Sequence, residues 1–60
     1  MREKQRFYVS KSVIYGVTVY DRKTQAPAFE YGAECDMDDV RAVMLRDRLN
    51  RKVKRGEIND

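Results

Sequence analysis

Residues 46–55 read RDRLNRKVKR, six cations (Arg46, Arg48, Arg51, Lys52, Lys54, Arg55) against the single acid Asp47. Guanidinium and ammonium groups at this density bind phosphates and carboxylates. On a helix turning about 100° per residue, Arg41, Arg48, Arg51, Lys52 and Arg55 gather within an arc of about 100°. A basic stripe of this kind is the electrostatic footprint of a surface for nucleic acid or for an acidic protein. A plainer reading stands beside it. Bases at the end of a helix complement its macrodipole, each by roughly 0.3–1 kcal/mol.

Other chemistry has little to work with. The chain has no His and one Cys, Cys35. It shows no nucleophile–base arrangement and no Gly-rich phosphate loop. Clustered carboxylates occur only at Glu34, Asp36, Asp38 and Asp39. There the start of a helix explains them, and the residues that follow do not continue as a calcium loop. Those acids also oppose thiolate formation at Cys35. The expectation is a protein that is not an enzyme, with no metal and no cofactor.

These residues must be positioned by a single small domain of 60 residues. A domain of this length buries only about 60% of the surface its unfolded chain exposes. With one Cys and no His, neither an internal disulfide nor a structural zinc site supports it, which leaves oligomerisation. No apolar run approaches the ~20 residues of a membrane span. The basic N-terminus has no apolar segment behind it, so it does not read as a signal peptide. A soluble, cytoplasmic chain without membrane contact is expected, in the host cytoplasm if the protein is viral.

The pattern predicts an α+β fold, three antiparallel strands followed by one long helix packed on them. Strands are expected at about 6–10, 12–20 and 28–31. In 12–20, Val13, Tyr15, Val17 and Val19 fall on one face, and Gly16 suggests a bulge. The segment 21–27 reads as a hairpin loop, with Gln25 where a left-handed residue would favour Gly or Asn. A helix is expected over about 37–55. Asp36 is its N-cap, a Cys35–Val40 contact staples its first turn, Gly56 stops it, and 56–60 frays.

The helix carries two apolar stripes roughly 150° apart by the same periodicity. One holds Met37, Val40 and Met44; the other holds Ala42, Leu45, Leu49 and Val53. A surface helix normally has one apolar face. The expectation is that the first stripe meets the sheet and the second mediates self-association, as a homodimer or higher oligomer.

The succession FYVS…VTVYDRKTQAPAFEYG…DMDDVRAVMLRDRLN resembles the short sheet-then-helix proteins of bacteriophage and prophage genomes. Tyr20-Asp21, Thr24 and Leu49-Asn50 match their strand, YD-x-x-T turn, strand and helix ending in LN. That resemblance implies a small accessory protein that binds and inhibits or modulates a host protein, such as a defence system. The same strand order resembles the arm-binding domains of tyrosine recombinases, which implies a DNA- or RNA-binding regulator instead. A third reading is a sponge for a nucleotide-type ligand, with its pocket between subunits.

Overall fold

The computed structural model describes residues 5–58. Strands β1 (Phe7–Ser12), β2 (Gly16–Asp21) and β3 (Ala26–Pro27) are followed by a 3-10 turn at Phe29–Tyr31 and by helix α1 (Asp39–Lys54). The strands form one antiparallel sheet in the order β1-β2-β3, and the helix packs on it. The expected three strands and one C-terminal helix are therefore present, with different boundaries.

The stretch expected as one strand over 12–20 is broken. Val13–Tyr15 form the β1–β2 turn, closed where the Tyr15 N–H donates to Ser12 Oγ at 2.9 Å. Apolar alternation runs straight through this turn, so periodicity alone misses it. Gly16 marks no bulge, since pairing runs unbroken from Phe7↔Asp21 to Ser12↔Gly16. Its φ of +70° is the reason for a glycine there. A Cβ on Gly16 would also run into the Asp36 carboxylate. The second hairpin ends the same way, with Gln25 left-handed at φ 57° and its N–H donating to the Asp21 carbonyl at 2.8 Å.

The third strand is displaced. The expected segment 28–31 is mostly the 3-10 turn, and β3 lies two residues earlier. Pro27 has no N–H and sits on this outer strand, as proline must. Beyond it the chain leaves the sheet and returns. The Ala28 N–H donates to the Val19 carbonyl (2.9 Å), and Asp36 and Met37 then donate to the Tyr15 and Val17 carbonyls (2.9 and 2.7 Å). The edge of β2 is thus completed by pieces from both sides of an excursion.

The helix start also differs from expectation. Asp36 is not the cap. It is left-handed (φ 52°), and its N–H is committed to Tyr15. The N-cap is Asp38, in extended conformation and without a side-chain capping bond. No staple forms, because Cys35 and Val40 are both exposed. At the other end Gly56 (φ 81°) stops the helix as expected. Its N–H reaches the Val53 carbonyl and that of Glu57 reaches Lys52, the paired bonds of a Schellman ending. The tail is not frayed through Ile58, which is buried. Residues 59–60 lie outside the described residues.

The core comprises Phe7, Val19, Ala28, Ala33, Ala42, Leu49 and Ile58, with Val9, Val17, Tyr31, Met37, Leu45 and Val53 packed against it. Two polar groups tie it together. Asn50 accepts from the Phe7 N–H and donates to the Phe7 carbonyl, both at 2.9 Å, so the helix satisfies β1 as a neighbouring strand would. Asp21 is fully buried. It accepts from Arg6 Nε and Nη2 at 3.0 Å each and from the Lys23 N–H at 3.0 Å. The Arg6 guanidinium in turn lies 5.1 Å from the Phe7 ring centroid.

Asp21→Ala removes the carboxylate that accepts two hydrogen bonds from the largely buried Arg6 guanidinium. The expected loss is about 3–5 kcal/mol, against the roughly 3–9 kcal/mol a domain of this length holds. Hydrogen bonding from Arg6 holds the Asp21 carboxyl below its ordinary value of 3.8, against the opposing effect of burial. Its contribution is therefore complete above that value and is lost as pH falls through the lower folded-state value. Urea midpoints measured from neutral pH downward should hold steady until the usual carboxylate range and drop below it. The left-handed residues give a second expectation. Gly16→Ala should lower stability by about 1–3 kcal/mol, whereas Gln25→Gly should raise it by up to about 1 kcal/mol, both read from denaturation curves.

Candidate functional site

The excursion between β3 and α1 builds one wall of a groove. The Ala28 carbonyl accepts from the Tyr31 and Ala33 N–H groups, at 3.0 and 3.1 Å, and pins the 3-10 turn at both ends. Gly32, left-handed at φ 100°, reverses the chain. Tyr31 is held edge-on against Phe7, with centroids 5.5 Å apart. Met37 is fixed by its backbone bond to Val17, and its sulfur lies 3.9 Å from the buried Thr18 hydroxyl. The opposite wall is the helix, which presents Arg41, Met44, Leu45, Asp47, Arg48 and Arg51. The space between is about 600 Å³.

Three members of the predicted basic stripe, Arg41, Arg48 and Arg51, line this groove. Lys52 and Arg55 do not. Lys52 is half-buried, and Arg55 pairs with Glu57 at 3.7 Å. Arg41 pairs with Glu34 at 3.2 Å, but both side chains are largely exposed. Such a pair is worth about 0.2–1 kcal/mol, so an incoming anion can replace Glu34 at small cost. Asp47 is engaged by Arg46 at 2.9 Å. The side chains of Arg48 and Arg51 make no hydrogen bond or ion pair among the described residues.

Of the predicted self-association stripe, Ala42 and Leu49 are buried in the core, and Leu45 and Val53 pack against it, so these four meet the sheet of their own chain. Of the stripe expected to face the sheet, Met37 packs on the core while Val40 and Met44 are each 64% exposed. Length and size decide the choice. The Ala42–Val53 stripe extends about 16 Å along the helix and matches a six-residue strand; the other stripe keeps only Val40 and Met44 on the helix, about 6 Å apart along it, because Met37 precedes the N-cap. Ala42 lets the helix approach closely. On the flank of the same stripe, Asn50 falls within reach of β1.

Sequence reasoning passed over Tyr31, Gly32, Met37 and Met44 as groove residues. In the strand expected over 28–31, period-two alternation would put Tyr31 on one face with Phe29. The 3-10 turn separates them, sending Tyr31 to Phe7 and Phe29 to Tyr15. Gly32 was the available signal, since a glycine after an apolar run marks a reversal. The outer sheet face is no free stacking platform. Tyr8 and Tyr20 stack on each other (5.8 Å), and Arg22 covers Tyr8 (4.5 Å).

Chemically the groove offers guanidinium groups for carboxylate or phosphate, beside thioether and aromatic surface. Among the described residues no three His, Cys, Asp or Glu side chains are grouped to hold a metal, and no helix is long and apolar enough to cross a membrane. Comparison with protein families, with curated proteins and with solved structures yields no match.

The burial of the two stripes generates a direct test. Leu49→Ala should destabilise the fold by about 2–5 kcal/mol. Met44→Ala should change it by no more than about 0.5 kcal/mol. Equal effects in urea denaturation would contradict this orientation of the helix.

Proposed function

We propose that this protein is a small, non-catalytic accessory protein that acts by docking on a partner protein through the Arg41–Arg48–Arg51 groove. One observation carries the reading. Two guanidinium groups with no carboxylate partner among the described residues stand beside exposed Met44 and half-buried Tyr31, Met37 and Leu45. Solvated surface arginines gain little from apolar neighbours. An acidic segment carrying an apolar anchor uses both, with charged contacts setting orientation and the anchor supplying affinity. Met is suited to such a surface because its unbranched thioether adapts to the partner. The resemblance to short phage accessory proteins supplies the class of partner, a host protein that is inhibited or modulated.

Nucleic acid is the alternative occupant. The groove is less suited to it, because Asp47 lies among the arginines that line it and interrupts the track a phosphate backbone would follow.

Fluorescence anisotropy with two labelled probes tests the choice. One probe is a peptide alternating Glu with Leu and Phe; the other is a random-sequence DNA duplex of equal charge. The peptide should bind, and Arg48→Gln/Arg51→Gln should weaken it by about tenfold or more, since each charge-assisted bond lost is worth roughly 1.5–3 kcal/mol. Tighter binding of the duplex, falling steeply with salt, would transfer the groove to nucleic acid. Failure of both probes would remove the docking reading.

A further inference from the structure

The β1–β2 turn holds two β-branched side chains out in water: Val13 is 105% and Ile14 82% exposed. Behind them Tyr15 and Phe29 meet edge to face, with centroids 5.6 Å apart, and Phe29 is exposed as well. Turns are ordinarily built from Gly, Pro, Asn, Asp and Ser. Two exposed β-branched side chains at the tip, next to a Tyr15–Phe29 pair, make the kind of exposed apolar surface that marks an interaction site. Acids border it. Asp36 is fastened to the tip by its N–H bond to the Tyr15 carbonyl, with its carboxylate against Gly16, and Glu30 follows Phe29.

We infer that this tip docks in the Arg41–Arg48–Arg51 groove of a second copy of the chain. The inference rests on reading the groove as a receptor for an acidic, apolar segment, of which the tip is the chain's own example. The match has three parts. The tip is apolar where the groove offers Met37, Met44 and Leu45. Asp36 and Glu30 would approach Arg48 and Arg51, which lack carboxylate partners within the described chain. The groove, at about 600 Å³, is within the size range that encloses small ligands and can admit two aliphatic side chains. An anionic lipid surface fits less well, because the same acids would face its headgroups. The donating and receiving surfaces differ. Two copies that exchange tips therefore close as a dimer, while copies that pass tips onward form a ring or a chain.

Sedimentation velocity from micromolar to millimolar concentration tests the contact. Val13→Ser/Ile14→Ser removes the tip, and Arg48→Gln/Arg51→Gln disarms the groove. All four side chains are exposed, so both variants should keep the wild-type circular dichroism and melting curve. The wild-type mass should rise with concentration, and each variant alone should remain monomeric. An equimolar mixture of the two variants should associate again, because one supplies an intact groove and the other an intact tip. Added salt should weaken every such species. A wild-type chain monomeric throughout, or a mixture of variants that stays monomeric, overturns the inference. So does co-sedimentation of wild type, but not of the tip variant, with phosphatidylcholine vesicles in place of self-association. The acidic peptide probe separates this result from the docking reading. Peptide binding by the tip variant without self-association of wild type removes the tip contact and leaves the groove intact as a receptor. Loss of both removes both.

Discussion

The three strands converge on Asp21. It pairs with Phe7 of β1 and with Ala26 of β3, and it closes the second hairpin loop through its own carbonyl. A carboxylate this far from water is tolerable only with charge and hydrogen bonds to match it. Arg6 provides both by a two-pronged contact, and the Lys23 N–H adds a third donor. The guanidinium also lies against Phe7 and, at 6.0 Å, Tyr31. One buried ion pair therefore fixes the end of the sheet, the path of the second loop and the aromatic wall of the groove. The pair adds to a register that the alternation of core-facing and outward residues already specifies.

The remaining constraints concern backbone groups at the strand edges. The carbonyl of Tyr15, just before β2, and those of Val17 and Val19 within it all find donors, but from a chain that leaves after Ala28 and returns at Asp36. The price is backbone strain at Asp36, left-handed without being glycine. Along β1, Asn50 does for Phe7 what a fourth strand would do. A two-residue β3 can suffice because the returning chain completes the edge of β2 that β3 leaves uncovered.

The same devices explain why the candidate groove lies where it does. The excursion that completes the sheet edge must bulge outward, and it stands beside the helix face that the sheet does not cover. That face carries Val40, Met44, Arg48 and Arg51 because the longer apolar stripe is already committed to the core. At the far end of the excursion, Asp36 holds the apolar turn of the first hairpin in place. The acidic helix start and the basic helix end thus become two different surfaces, one built around the hairpin tip and one around the groove.

Local signals were sufficient for much of this. The order of three strands and a helix follows from periodicity, the helix stop from Gly56, the second loop from Asp21 to Gln25, and the convergence of Arg41, Arg48 and Arg51 on one side from helical spacing alone. Each depends on residues close together in the chain. The tertiary structure decided what depends on distant partners. Helical periodicity gives the angle between two apolar stripes but not which of them turns to the sheet; strand length, the small Ala42 and the reach of Asn50 to Phe7 settled that. Alternation cannot reveal a turn built from Val13, Ile14 and Tyr15, because those residues keep the strand pattern. Nor can it separate a strand from a 3-10 turn at Phe29–Tyr31, where Pro27, Gly32 and the returning Asp36 and Met37 compete for one sheet edge. Asp36 had the local chemistry of a helix cap, but its backbone was claimed by Tyr15, a residue 21 positions earlier in the chain, and an edge carbonyl that must be satisfied outweighs a cap that solvent can replace.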